Sequence, residues 1–135
     1  MLAGNEFGVN GVAAILERSF APTLEELDIE STNARDEGAV ALGEAAPPRL
    51  VHIDLAKAGL TDAGASALVR SRLRLQLEWL RLSDNRLTDA AALELAGAAW
   101  PKLRSIELYL NEGRFRAKAK RALWERFGGA LICNV

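Results

Sequence analysis

The chain has 135 residues, 50% of them hydrophobic and 26% charged, which bounds it to one globular domain. Its formal net charge of −1 gives no electrostatic basis for binding nucleic acid or an anionic membrane, so neither is expected as a partner. The single cysteine, Cys133, excludes an internal disulfide, and one His with one Cys cannot build a zinc site, so no cofactor or metal is expected.

The first twenty residues, MLAGNEFGVNGVAAILERSF, lack a basic n-region and carry Glu6 and Glu17, which makes them a poor signal peptide. No apolar run reaches the roughly 18 residues of a membrane span, so the expected location is the cytoplasm. Phe7, Gly11 and Ile15 fall four apart and predict a helix with one apolar stripe. Of a strand before it, only Leu2 remains. Pro22 stops this helix, and Leu24-x-x-Leu27-x-Ile29 predicts a strand. The order then recurs. Ala34, Gly38 and Leu42 mark a helix, Pro47 and Pro48 its end, and Leu50-x-x-Ile53-x-Leu55 a strand. Leu60, Gly64 and Leu68 follow, then Leu77-x-x-Leu80-x-Leu82. Leu87, Ala91 and Leu95 follow in turn, then Pro101 and Leu103-x-x-Ile106-x-Leu108. The last stripe, Phe115, Ala119 and Leu123, comes two residues late, so a small insertion is expected after Asn111. An amphipathic helix is predicted over residues 114–127, with Arg116, Lys118, Lys120 and Arg121 outward. Gly128 and Gly129 end it, and residues 130–133 read as one last short strand.

One position indexes all of these units. Asn5, Thr32, Ala58, Asn85 and Asn111 stand 27, 26, 27 and 26 residues apart. The whole chain therefore reads as one repeat domain, residues 1–135. Residues 1–23 form an incomplete first repeat, and 24–49, 50–76 and 77–102 form full repeats. Residues 103–135 carry the last strand and a charged C-terminal cap. The middle position of each helical stripe is always Gly or Ala, which implies that the helix backbone approaches a neighbour closely there. Thr61 or Asp62, and Thr88 or Asp89, are the N-cap candidates.

The L-x-x-L-x-L-x-x-N-x-L run, followed by TDAGASAL at residues 61–68, resembles the ribonuclease-inhibitor-like class of leucine-rich repeats. Residues 50–68 and 77–95 carry the match most clearly. The ending KRALWERFGGALI, residues 120–132, is similar to the terminal unit of many bacterial repeat proteins of this class. The expected fold is a right-handed α/β solenoid of about five repeats, with a parallel sheet on the concave side and helices on the convex side. The class includes inhibitors, GTPase activators, innate-immune receptors and many binding proteins. In it the Asn amide sits inside the turn and satisfies backbone groups of its own and adjacent repeats. Thr32 can do part of that, and Ala58 cannot, so a bound water or a looser turn is expected near Ala58.

Strand positions alternate, so the residues between the leucines face outward. They are Glu26, Asp28 and Glu30; His52, Asp54 and Ala56; Trp79, Arg81 and Ser83; Ser105, Glu107 and Tyr109. Five carboxylates stand against Arg81, so the face is acidic at one end and aromatic toward the other. Trp79 and Tyr109 read either as binding anchors or as cover for the sheet edge, stacked with Arg81. His52 with Asp54 could make an oriented general base. Same-strand neighbours two residues apart stand roughly 7 Å apart, however, too far for a tight pair. No nucleophile accompanies them, so no catalytic residue is assigned. Fragments such as residues 8–14 belong to the repeat and are not a phosphate loop. Arg70, Arg72, Arg74, Lys102 and Arg104 lie near helix ends, where cations suit the dipole. They read as a solvated rim, or as a docking patch for an acidic partner.

The expected function is protein–protein recognition through the concave face, by Trp79, Arg81, Tyr109, Glu107, His52, Asp54, Asp28, Glu26 and Glu30. The alternative is regulation of an enzyme, in the manner of a GTPase activator. Residues 1–2 leave no room for a full first strand, and nothing precedes the helix that bears Val12 and Ile15. The chain is therefore expected to be part of a longer repeat protein, or to cover this end by self-association.

Overall fold

The computed structural model describes residues 8–17, 21–111 and 115–132. Leu2, Asn5, Phe7, Phe20, Arg114 and Cys133, together with the Ile15 side chain, lie outside the described residues.

Strand and helix alternate throughout: α1 (Gly8–Leu16), β1 (Glu26–Asp28), α2 (Arg35–Ala45), β2 (His52–Asp54), α3 (Asp62–Arg70), β3 (Trp79–Arg81), α4 (Asp89–Gly97), β4 (Ser105–Glu107), α5 (Ala117–Phe127) and β5 (Leu131–Ile132). The strands form one sheet in chain order, every pair parallel. Equivalent residues sit side by side: Glu26, His52, Trp79 and Ser105 make one row, and Asp28, Asp54, Arg81 and Glu107 the next. This is an α/β repeat fold. The expected strand at 130–133 is β5, so residues 103–135 carry two strands. α5 begins at Ala117, later than the predicted 114–127, and Gly128 ends it with φ +53°.

The leucine rows make the core. Leu27, Ile53, Leu80 and Ile106 on the strands join Leu42, Leu68, Leu95 and Leu123 on the helices in one buried cluster. Truncating one such side chain to Ala costs about 2–5 kcal/mol. Val12 is fully buried as well, with Cγ2 3.6 Å from where a Cβ on Gly38 would stand, so it faces α2 and not an open end. Gly64 shows why the middle helical position is small: a Cβ there would lie 2.5 Å from Asp36 Oδ1.

The turns after the strands are tied by side chains placed inside them. Asn85 Oδ1 accepts from the Ala58 and Leu60 N–H groups. Its Nδ2 donates to the Leu55, Leu82 and Ser83 carbonyls. Thr32 does part of the same work, donating from Oγ1 to the Ile29 carbonyl at 2.6 Å. The turn at Ala58 is closed without an amide of its own. Asn85 takes the Leu55 carbonyl, and the Arg35 N–H donates to the Ala58 carbonyl at 2.7 Å.

Candidate functional site

The sheet face turned away from the helices gathers the charged and aromatic side chains. Each of β1 to β4 is only three residues long, so two residues of each point onto it. The third outward position of each unit lies past the strand. Ala56 and Ser83 there are fully buried and are not part of a presented surface, and Ser83 Oγ has no hydrogen-bond partner. Asp54, expected to be presented, is also buried, at 7% exposure.

Arg81 is the hub of one group. Its Nη1 lies 3.0 Å from Asp54 Oδ2 and 3.4 Å from Glu30 Oε2. Its Nη2 donates to the Tyr109 hydroxyl at 3.0 Å. Its Nε lies 3.0 Å from Glu107 Oε2, an ion pair without hydrogen-bond alignment. One guanidinium thus links four successive units, and its planar fork of five donors suits that task. The Tyr109 hydroxyl, and then the Asp54 carboxylate against the opposing effect of burial, raise the Arg81 pKa above its ordinary value. A raised pKa on a cation keeps its contribution to stability intact at every pH below the unfolded value, so Arg81 adds no pH dependence near neutrality. Arg81 and Tyr109 are therefore engaged with each other and with the acids; Tyr109 meets Arg81 through its hydroxyl.

The carboxylates are also engaged by backbone and neighbours. Asp28 Oδ1 accepts the Glu30 N–H, and Asp54 Oδ1 accepts the Ala56 N–H. Lys57, missed by the sequence reading, places Nζ 4.0 Å from Glu30 Oε1. The signal was available, because Lys57 follows the strand one unit along from Glu30. Oxygens of Asp28, Glu30 and Asp54 lie within 4.8 Å of one another, with Arg81 supplying positive charge to two of them.

The second group is aromatic. The His52 and Trp79 rings stand 4.1 Å apart at 44°. His52 Nδ1 lies 3.9 Å from Glu26 Oε1. His52 thus turns to Glu26 and Trp79 while Asp54 turns to Arg81, and the His52–Asp54 dyad considered from the sequence is not formed. Glu26, Leu27, Asp28, His52, Asp54 and Trp79 line a pocket of about 290 Å³.

Two basic side chains reach carbonyls near the end of α4. Arg126 Nε donates to the Ala96 carbonyl in the last turn of α4 at 2.7 Å, where a cation suits the dipole, and Arg74 Nη1 donates to the Ala99 carbonyl, two residues past the helix, at 3.2 Å. Arg104 pairs with Glu78 at 3.5 Å.

Comparison with known proteins gives one family. A family model described as Leucine Rich repeat matches residues 20–43 and 48–69, the two segments that carry β1 with most of α2 and β2 with most of α3. The match supports a leucine-rich repeat protein, and such repeats generally mediate protein–protein interaction and are typically non-catalytic. None of the curated proteins compared matches the chain. Among the described residues no helix is long and apolar enough to cross a membrane.

Proposed function

We propose that the chain is a recognition module that binds another protein through the open sheet face, with Trp79 as its principal anchor. The observation that carries this reading is Trp79 itself. It sits half-buried on β3, against His52, and forms one wall of the pocket. A folding role alone does not require an indole at an outward strand position, whereas Trp is enriched among residues that dominate interface energies. Arg81, Tyr109, Glu107, Asp54 and Glu30 form a rigid floor beside it, and Glu26, Asp28 and His52 form the rim.

The finer architecture belongs to the same proposal. The sheet would line the concave side of a right-handed solenoid of the ribonuclease-inhibitor-like type, akin to bacterial repeat proteins. Its units would fall at residues 1–23, 24–49, 50–76, 77–102 and 103–135. Repeats of 26 or 27 residues, each with a full helix, support that reading. The single Cys133 fits a cytoplasmic setting, and the net charge of −1 offers no electrostatic reason for a nucleic-acid partner. Photo-cross-linking in the source cell tests the face. A cross-linking residue at Ser105, beside Trp79 on the sheet, is expected to trap a partner protein, and one at Lys118 on α5 is not. Trapping from Lys118 alone would place the interface on the helices and end this reading.

A further inference from the structure

Charge is unevenly balanced across the sheet face. On the β3 side, Arg81 answers Glu30, Asp54 and Glu107. On the β1 side, the Glu26 side chain is 77% exposed, with His52 Nδ1 3.9 Å from its Oε1. Asp28 takes the Glu30 N–H through one oxygen. Among the described residues no Lys or Arg lies within ion-pair distance of either carboxylate. Both acids border the same pocket, and its far wall is the Trp79 ring with His52 against it.

An aromatic wall beside two carboxylates is a matched environment for one chemical group. A guanidinium can lie flat on the indole while its edge donates to carboxylate oxygens. An ammonium is a compact, strongly hydrated charge that gains less from such a slot. About 290 Å³ gives room for one extended side chain. We propose that this pocket receives the side chain of an arginine carried by a basic segment of the partner protein. The proposal rests on the reading of the sheet face as the binding surface and names what that surface selects.

N-acetyl-arginine amide is a sufficient probe, titrated into the ¹⁵N-labelled full chain and followed by NMR. It is expected to shift the Trp79 indole N–H and the Glu26 and His52 backbone signals in a saturable way, with a dissociation constant on the order of millimolar. N-acetyl-citrulline amide, of similar shape but neutral, is expected to leave them unmoved. Glu26→Gln with Asp28→Asn should weaken the arginine probe about tenfold, and Glu125→Gln on α5 should not. Asn at 28 retains the acceptor for the Glu30 N–H, and Glu26→Gln alone, at an exposed side chain, repeats the test should the double variant fold poorly. Equal shifts with citrulline, equal affinity in the acid variants, or shifts confined to other residues would overturn the proposal. A partner still cross-linked from Ser105 in that event would leave the sheet-face reading standing and remove only the arginine.

Discussion

Asp36, in the first turn of α2, holds the first turn of the next helix through Thr61. Its Oδ1 accepts the N–H of Thr61 at 2.8 Å and of Gly64 at 3.0 Å, and its Oδ2 accepts the Thr61 hydroxyl. Asp62 does the same for Thr88, and Asp89 accepts the Arg116 N–H at 2.9 Å. The four orphan N–H groups of each helix start are thus met partly from within, by Thr61 and Thr88, and partly from the preceding unit. A carboxylate at a helix N-terminus also answers the positive end of the dipole.

Asp36→Ala should therefore cost more than an ordinary surface change. Three bonds to a charged acceptor are lost together, and a fall of about 2–3 kcal/mol is expected. Glu37→Ala, one residue on and exposed, should stay within about 0.5 kcal/mol. Urea unfolding of the two variants checks this. Equal small losses would mean that the Asp–Thr bonds between repeats carry no net stability.

Two glycines should respond in opposite directions to the same change. Gly64→Ala places a methyl 2.5 Å from Asp36 Oδ1 and 2.8 Å from Leu60 Cδ2, and a loss of about 1–3 kcal/mol is expected. Gly97, the last residue of α4, has nothing within 4 Å of a built Cβ, and Gly97→Ala should gain up to about 1 kcal/mol. Thermal melting of the pair gives the sign of each.

The period and the core were legible because they depend on one property, the spacing of apolar side chains. Leu27, Ile53, Leu80 and Ile106 are buried where alternation put them, and Leu42, Leu68, Leu95 and Leu123 where the four-residue stripe put them. The caps were half legible. Spacing left Thr61 and Asp62 as rivals, whereas the fold uses the Thr for its own helix and the Asp for the next one, a choice only the stacking distance decides. The face was legible as a set of residues but not as a network. Strand length decided that Ala56 and Ser83 are buried, and side-chain reach decided that Arg81 joins Asp54, Glu107 and Tyr109.

One backbone feature had no sequence signal at all. The residue before the index position is left-handed in every described turn: Ser31 (φ 58°), Lys57 (52°), Asp84 (57°) and Leu110 (57°). None is glycine, and an L-residue there costs about 1–2 kcal/mol. Leu110 is 57% exposed, so little packing is lost with it. Leu110→Gly should be neutral to about 1 kcal/mol stabilising after the entropy of glycine is set against the relief. Leu110→Val, β-branched, should lose about 1–2 kcal/mol. Denaturant midpoints that rank Val above Gly would contradict the left-handed turn.

Arg81 and Trp79 should separate when stability is measured. Arg81→Met leaves Glu30, Asp54 and Glu107 facing one another without their cation. With the side chain 21% exposed, a loss of about 2 kcal/mol is expected, below that of a fully buried pair. Trp79→Ala should cost about 1 kcal/mol, as a half-buried surface change. The reverse order in urea unfolding would make Trp79 the structural residue of the two.

The most direct measurement is the affinity of the cross-linked partner for Trp79→Ala, read by calorimetry beside Trp124→Ala, whose parent indole is 62% exposed on α5. The account predicts a loss of about 2 kcal/mol or more, roughly thirtyfold in Kd, for Trp79→Ala and no change for Trp124→Ala. A Trp79→Ala variant that is folded and binds as tightly as the unaltered chain would contradict recognition through the sheet face.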